Sequence, residues 1–154
     1  MSEFQVRIVS MDPMRVANVI GFGASPEGLA SSKMMAFLAE RGLNRGEVRW
    51  FGFDNPCPSP GSPNYGYEIW VPVGPEVQGQ GEVTIKEIPA RRYAVARCEG
   101  LSRIGEVWRQ LVLWFEASPY RRPAHCHQCL ENLLSPPGVS YDEYVFDLYL
   151  PIAG

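Results

Sequence analysis

Apolar positions along this chain recur with two different periods. The stretches 4–11 and 14–22, and again 82–88 and 92–99, are rich in valine, isoleucine and tyrosine. That enrichment predicts β-strands. The first two strands read as a hairpin joined around Asp12-Pro13, and the second two as another hairpin with Pro89 near its turn. A helix follows each. Ser25-Pro26-Glu27 supplies an N-cap serine, a proline for the first helical position and an acid for the first turn. That helix runs to about Arg41 and stops at Gly42; the second starts near Ser102 and ends near Ser118-Pro119. In the second, Ile104, Val107, Trp108, Leu111, Trp114 and Phe115 follow helical spacing. A short strand at about 48–53 leads into Asn55–Asn64, where prolines and glycines rule out regular structure. Strands are expected at 66–73 and 144–152, with a loop at 135–138.

The two sets of elements are one set written twice. A shift of 77 positions places Val6-x-Ile8 on Val83-x-Ile85, Arg15-Val16-Ala17 on Arg92-Tyr93-Ala94, Gly23 on Gly100, Met34 on Leu111 and Phe37 on Trp114. A shift of 79 places Tyr67–Val73 on Phe146–Ile152. The repeats are therefore about 4–73 and 82–152, and the second copy has a loop two residues longer. The shift also maps 125–134 onto the 48–53 strand. Two degenerate copies of one unit imply a pseudo-symmetric single domain over residues 1–154, with a ligand cleft expected at the seam.

Strand alternation separates two faces. In 67–73, Tyr67, Ile69, Val71 and Val73 lie on one face, and Glu68 and Trp70 on the other. In the final strand Phe146, Leu148 and Leu150 oppose Asp147 and Tyr149. The all-apolar face is expected to pack on the helices, and the face with Trp70 and Tyr149 to look into the cleft or solvent.

At 154 residues with 45% hydrophobic and 20% charged residues, the composition is that of a soluble globular domain. No apolar run is long enough to span a membrane. The start lacks the basic and apolar regions of a signal peptide, so a cytoplasmic protein is expected. A net charge of −3, with only Lys33 and Lys86 as lysines, argues against nucleic acid as a direct partner. Cys57, Cys98, Cys126 and Cys129 read as free thiols. His125, Cys126, His127 and Cys129 have the ligand types of a zinc site, but four ligands within five residues cannot all reach one tetrahedral ion. No metal and no cofactor is expected, and no tetrahedral site joining Cys126 and Cys129 to either histidine. Nucleophile elbows, phosphate-binding glycine loops and helical His-Glu-x-x-His motifs are absent.

Several of these segments together resemble the GyrI-like, or effector-binding, superfamily, the ligand domain of MerR- and AraC-type multidrug regulators. The resemblance rests on Arg92-Tyr-Ala-Val95 followed by Gly100, on Trp108 and Leu111-x-x-Trp114, on Leu130-Glu131, on Tyr65-x-Tyr-Glu-x-Trp-Val-Pro72, and on Asp147-Leu-Tyr149-Leu-Pro-Ile152. It covers nearly the whole chain, which looks like a free-standing member of the kind also found in integron cassettes. His125–Cys129 is richer in thiol and imidazole than that pattern. The resemblance implies an α+β fold: duplicated βαββ-type units forming one curved antiparallel sheet, two helices packed on it, and an aromatic cleft at the pseudo-twofold. It also implies a glutamate at the cleft floor that receives lipophilic cations.

Glu131 is the first candidate for that acid. A carboxylate in an apolar cleft costs free energy unless paired, and a cationic ligand is such a partner. The plain alternative is a solvated glutamate at a strand edge. Trp70, Tyr149, Trp108 and Tyr93 are candidate ligand-binding aromatics, the last two balanced between core and pocket wall, and Glu68 accompanies Trp70. The expected ligand is a rhodamine-like or quaternary cation, stacked on Trp70, Tyr149 and Trp108 with its charge toward Glu131. Two other functions remain open at this stage. Some proteins of this resemblance hydrolyse strained-ring electrophiles, with Glu131 then acting as general base. A protein partner, as for a gyrase inhibitor, is the third.

Overall fold

Neither predicted hairpin forms. In the computed structural model, which describes residues 4–45, 48–55, 61, 63–124, 128–135 and 140–153, β1 (Val6–Met11) pairs with β6 (Arg91–Glu99). Likewise β2 (Met14–Gly23) pairs with β5 (Thr84–Ile88). Each copy lends its first strand to the other. The turn chemistry explains why. Two-residue hairpins need a positive φ at one or both turn residues, which Gly and Asn tolerate. Between Met11 and Met14 the chain offers only Asp12-Pro13, and proline holds φ near −65°. Between Ile88 and Arg91 it offers Pro89-Ala90. Among the described residues only glycines have positive φ, so both links run on instead of turning back.

The exchange gives two compact units. One, Met14–Ile88, has strand order β3-β4-β2-β5, with β3 (Trp50–Asp54), β4 (Tyr65–Pro72) and helix α1 (Pro26–Glu40). The other joins the segment ending at Pro13 to Pro89–Gly154 in the order β1-β6-β8-β7, with helix α2 (Ile104–Ala117), β7 (Leu130–Leu133) and β8 (Val145–Ile152). All pairings within each unit are antiparallel, and the fold is α+β. A turn of 3-10 helix, Leu101–Arg103, precedes α2. No helix among the described residues is long and apolar enough to cross a membrane.

The register repeats with the sequence. Asn18 and Phe51 flank Trp70 across the first sheet, as Val95 and Leu130 flank Tyr149 across the second. Trp70 and Tyr149 therefore hold equivalent places. The helix faces also correspond: Ala30, Met34 and Leu38 are buried in α1, and Val107, Leu111 and Phe115 in α2. As expected, Ile69 and Val71 pack with α1, and Leu148 and Ile152 with α2. Burying each such side chain contributes about 1.5–3 kcal/mol. Gly21 is required where α1 meets β2, since a Cβ there would lie 2.5 Å from the Pro26 carbonyl oxygen and 2.8 Å from the Ala30 nitrogen.

Candidate functional site

Directly opposed residues of an antiparallel pair share a face of the sheet. Leu130 opposes Tyr149 and Glu131 opposes Leu148. Leu148 belongs to the core under α2, so Glu131 stands on the helix side. The sheet order places β7 at the end of its unit, beyond β8. From α2, Trp108 donates its indole Nε1–H to Glu131 Oε2 at 3.2 Å. Leu133, two residues on, opposes Phe146, whose ring stacks on Tyr144 with centroids 6.0 Å apart. Glu131, Trp108, Leu133, Tyr144 and Phe146 are all half-buried. The result is a carboxylate oriented by an indole on a partly open apolar surface. Its charge reaches the buried Cys98: burial pushes that thiol up, Arg103 pulls it back, and Glu131 and Glu99 add to the rise. Cys98 is thus held as a neutral thiol.

The other copy lacks this arrangement. Gly52 takes the place of Glu131, opposing Ile69 as Glu131 opposes Leu148. A Cβ on Gly52 would lie 2.1 Å from the Tyr67 hydroxyl, so that tyrosine fills the space. Ser31 takes the place of Trp108 at the shift of 77.

The remaining candidates fall in two other places. Tyr149 and Tyr93 meet edge to face, centroids 5.3 Å apart, on the face of their sheet away from α2. Glu131 and Tyr149 are therefore on opposite faces. Tyr93 is 1% exposed, and its hydroxyl oxygen has no hydrogen-bond partner among the described residues. Burial pushes that hydroxyl up and neighbouring Arg91 partly offsets the rise, so it stays protonated.

Trp70 and Glu68 sit in the other unit, each 1% exposed. Trp70 is buried rather than facing solvent, because its N–H and its rings are both used. Its Nε1–H donates to Glu68 at 2.7 Å, and Phe53 meets the ring edge-on at 5.0 Å. Glu68 also accepts from Asn55 Nδ2 and Lys86 Nζ, each at 2.8 Å. Asp147, its equivalent, accepts from Arg97 Nε at 2.6 Å and from Arg7 at 2.5 Å. The exchanged strands β5 and β1 thus each bring a cation, Lys86 or Arg7, to a buried acid. Sequence reading missed Asn55, Lys86, Arg97 and Arg7; acids 79 positions apart on buried strands were the available signal. Among the described residues no group of histidines, cysteines and acids could hold a metal ion. His125, Cys126 and His127 lie outside the described residues.

A further acidic pair closes the far end of β3. Tyr65 donates its hydroxyl to Glu27, and Asp54 is pushed above the usual aspartate range by burial first and by Glu27 second. A raised folded-state value favours the protonated carboxyl. Its stabilising contribution is complete below the ordinary aspartate range and is lost as pH rises through the raised value. Asp54→Asn is therefore expected to raise the melting temperature at pH 7 and to have little effect near pH 3. Thermal unfolding at both pH values checks this; the same rise at both would show that ionisation plays no part.

The fold is thus a duplicated α+β one, with the half-buried Glu131 on the helix side of its sheet. Residues 7–152 match Cass2, the integron-associated effector binding proteins, and the chain belongs to that family. Among solved structures it is similar to the C-terminal domain of EcmrR, at 12% identity and TM-score 0.70 over 97% of each chain. It is also similar to a hydrolase from Listeria innocua, at 13% identity and TM-score 0.70, over 96% of this chain and 91% of that one. SAV2435 bound to tetraphenylphosphonium has 11% identity and TM-score 0.56, over 99% and 95%. No curated protein matches significantly.

Proposed function

We propose that this protein binds a lipophilic cation, with the positive charge at Glu131 and an aromatic group against Trp108 and the Tyr144–Phe146 stack. The observation that carries this reading is the half-buried Glu131 carboxylate bonded to the Trp108 indole, in one copy and not the other. A large, weakly hydrated cation gives up little hydration on leaving water, and each aromatic face adds about 0.5–2 kcal/mol. The ligand of SAV2435 is such a cation. Tyr93, Tyr149, Trp70 and Glu68 support the sheets in this reading and do not touch the ligand. The biological role would be cytoplasmic sequestration or sensing of an amphiphile.

Calorimetric titration with tetraphenylphosphonium and with neutral triphenylphosphine oxide tests it. Tighter binding of the cation is expected; equal affinities would remove the charge from the reading, and no binding of either would remove the site. The hydrolase among the structural relatives supports a second reading, in which Glu131 activates water against a strained-ring electrophile. Product formation that is lost in Glu131→Gln would favour it.

A further inference from the structure

A second apolar pocket lies in the other unit, at the C-terminal end of α1. It has a volume of about 280 Å³. Leu38 and Val71, both buried, line it with half-buried Leu43, Val48 and Val73 and with Gly74. The duplication shows what would close it. At the equivalent positions the second copy carries Phe115 for Leu38, Tyr120 for Leu43, Leu150 for Val71, Ile152 for Val73 and Ala153 for Gly74. Every replacement is larger, and two of them are aromatic rings. Tyr120 also stacks on Trp114 at 5.8 Å. The same scaffold is filled in one copy and hollow in the other.

The charged groups around the hollow are all directed elsewhere. The Arg49 guanidinium lies over the Phe51 ring at 4.9 Å, and Phe51 opposes Trp70 on the face of the sheet away from α1. Arg15 donates to the carbonyls of Gly74 at 3.2 Å and Val77 at 2.7 Å, and its remaining nitrogen pairs with Glu87 at 2.9 Å. Arg41 lies over the Phe37 ring at 3.8 Å and donates to Gln80 at 2.6 Å. The Glu76 carboxylate folds against the Gly74 wall, where a Cβ would lie 2.5 Å from it, but Glu76 is exposed and keeps its water. A charge carried into this pocket would leave water and gain no partner, which is costly. The occupant that fits is therefore uncharged. Size sets the other limit: an apolar cavity of about 150 Å³ holds benzene, so this one has room for two fused rings.

We propose that this pocket binds a small uncharged aromatic molecule, whose rings take the space that Phe115 and Tyr120 fill in the other copy. The site is separate in residues and in charge preference from the one at Glu131. The full-length protein would be titrated with 3-ethylindole, 3-(aminomethyl)indole and indole-3-carboxylate, following the amide chemical shifts of Leu43, Val71 and Gly74. At these amides the neutral 3-ethylindole is expected to bind about tenfold or more tighter than the ammonium or the carboxylate, since neither charge is paired there. The variant Leu43→Tyr, Val71→Leu, Val73→Ile installs the residues of the filled copy. It should lose the 3-ethylindole shifts while keeping tetraphenylphosphonium affinity. If that variant fails to fold, Leu43→Tyr alone carries the test, because Leu43 is half-buried and its replacement leaves the buried floor intact. Shifts that survive filling overturn the proposal, as does equal affinity for a charged analogue at the same amides, or no response to 3-ethylindole in the unaltered protein.

Discussion

Trp70→Ala is expected to lower the stability of the protein by about 3–5 kcal/mol, the range for truncating a large buried aromatic. Trp70 is 1% exposed, so its removal leaves a cavity that β4, held between β2 and β3, cannot collapse to fill. The same change takes one of three donors from the buried Glu68 carboxylate. Trp70→Phe separates the two effects. It keeps most of the ring and drops the N–H, and should cost about 1–3 kcal/mol, as for a buried acceptor losing a partner. Urea denaturation of both variants measures this. Trp70→Phe should leave tetraphenylphosphonium affinity unchanged. A variant that stays stable but binds the cation poorly would return Trp70 to the ligand site and contradict its assignment to the core.

Glu131→Gln should weaken tetraphenylphosphonium by on the order of 1–3 kcal/mol, with triphenylphosphine oxide nearly unaffected. The substitution preserves shape, and the new amide oxygen can still accept from the Trp108 indole, so the wall of the site is not disturbed. What is lost is the charge alone. Calorimetry on both ligands with both proteins gives four affinities and a direct separation. Equal losses for cation and neutral analogue would make Glu131 a structural residue. Unchanged affinity for both would place the site elsewhere.

Much of this fold was legible in the residues, because the repeat carries register as well as composition. The shift of 77 that places Asn18 on Val95 and the shift of 79 that places Trp70 on Tyr149 carry one cross-strand pair onto the other. The strand exchange was hidden for the same reason. β1 on β6 and β5 on β2 have the same register, so a copy's first strand fits either copy's second equally well by pattern. Only the lack of Gly or Asn in Asp12-Pro13 and Pro89-Ala90 argued against hairpins. The site was harder to read. β7 is Leu130-Glu-Asn-Leu133, with a leucine on each face, so alternation cannot say which side Glu131 takes. Its orientation depends on Trp108, 23 residues earlier on another element. The partners of Glu68 and Asp147 come from exchanged strands, which no local pattern reveals.

The exchange makes the two copies mutually dependent. A backbone break between Gln78 and Gly81 would put β1–β4 on one fragment and β5–β8 on the other. Neither fragment holds a full set of strands for either unit, since one lacks β5 for its own β2 and the other lacks β1 for its own β6. Separately expressed fragments should therefore be poorly folded, and should regain secondary structure when mixed in equal amounts, as circular dichroism would record. Recombination follows the same rule. A gene that replaced one copy with a relative's would also replace a strand of the unit built on the copy it kept, and would part Arg7 from Asp147 and Lys86 from Glu68. Halves of this protein are inherited well only as a pair.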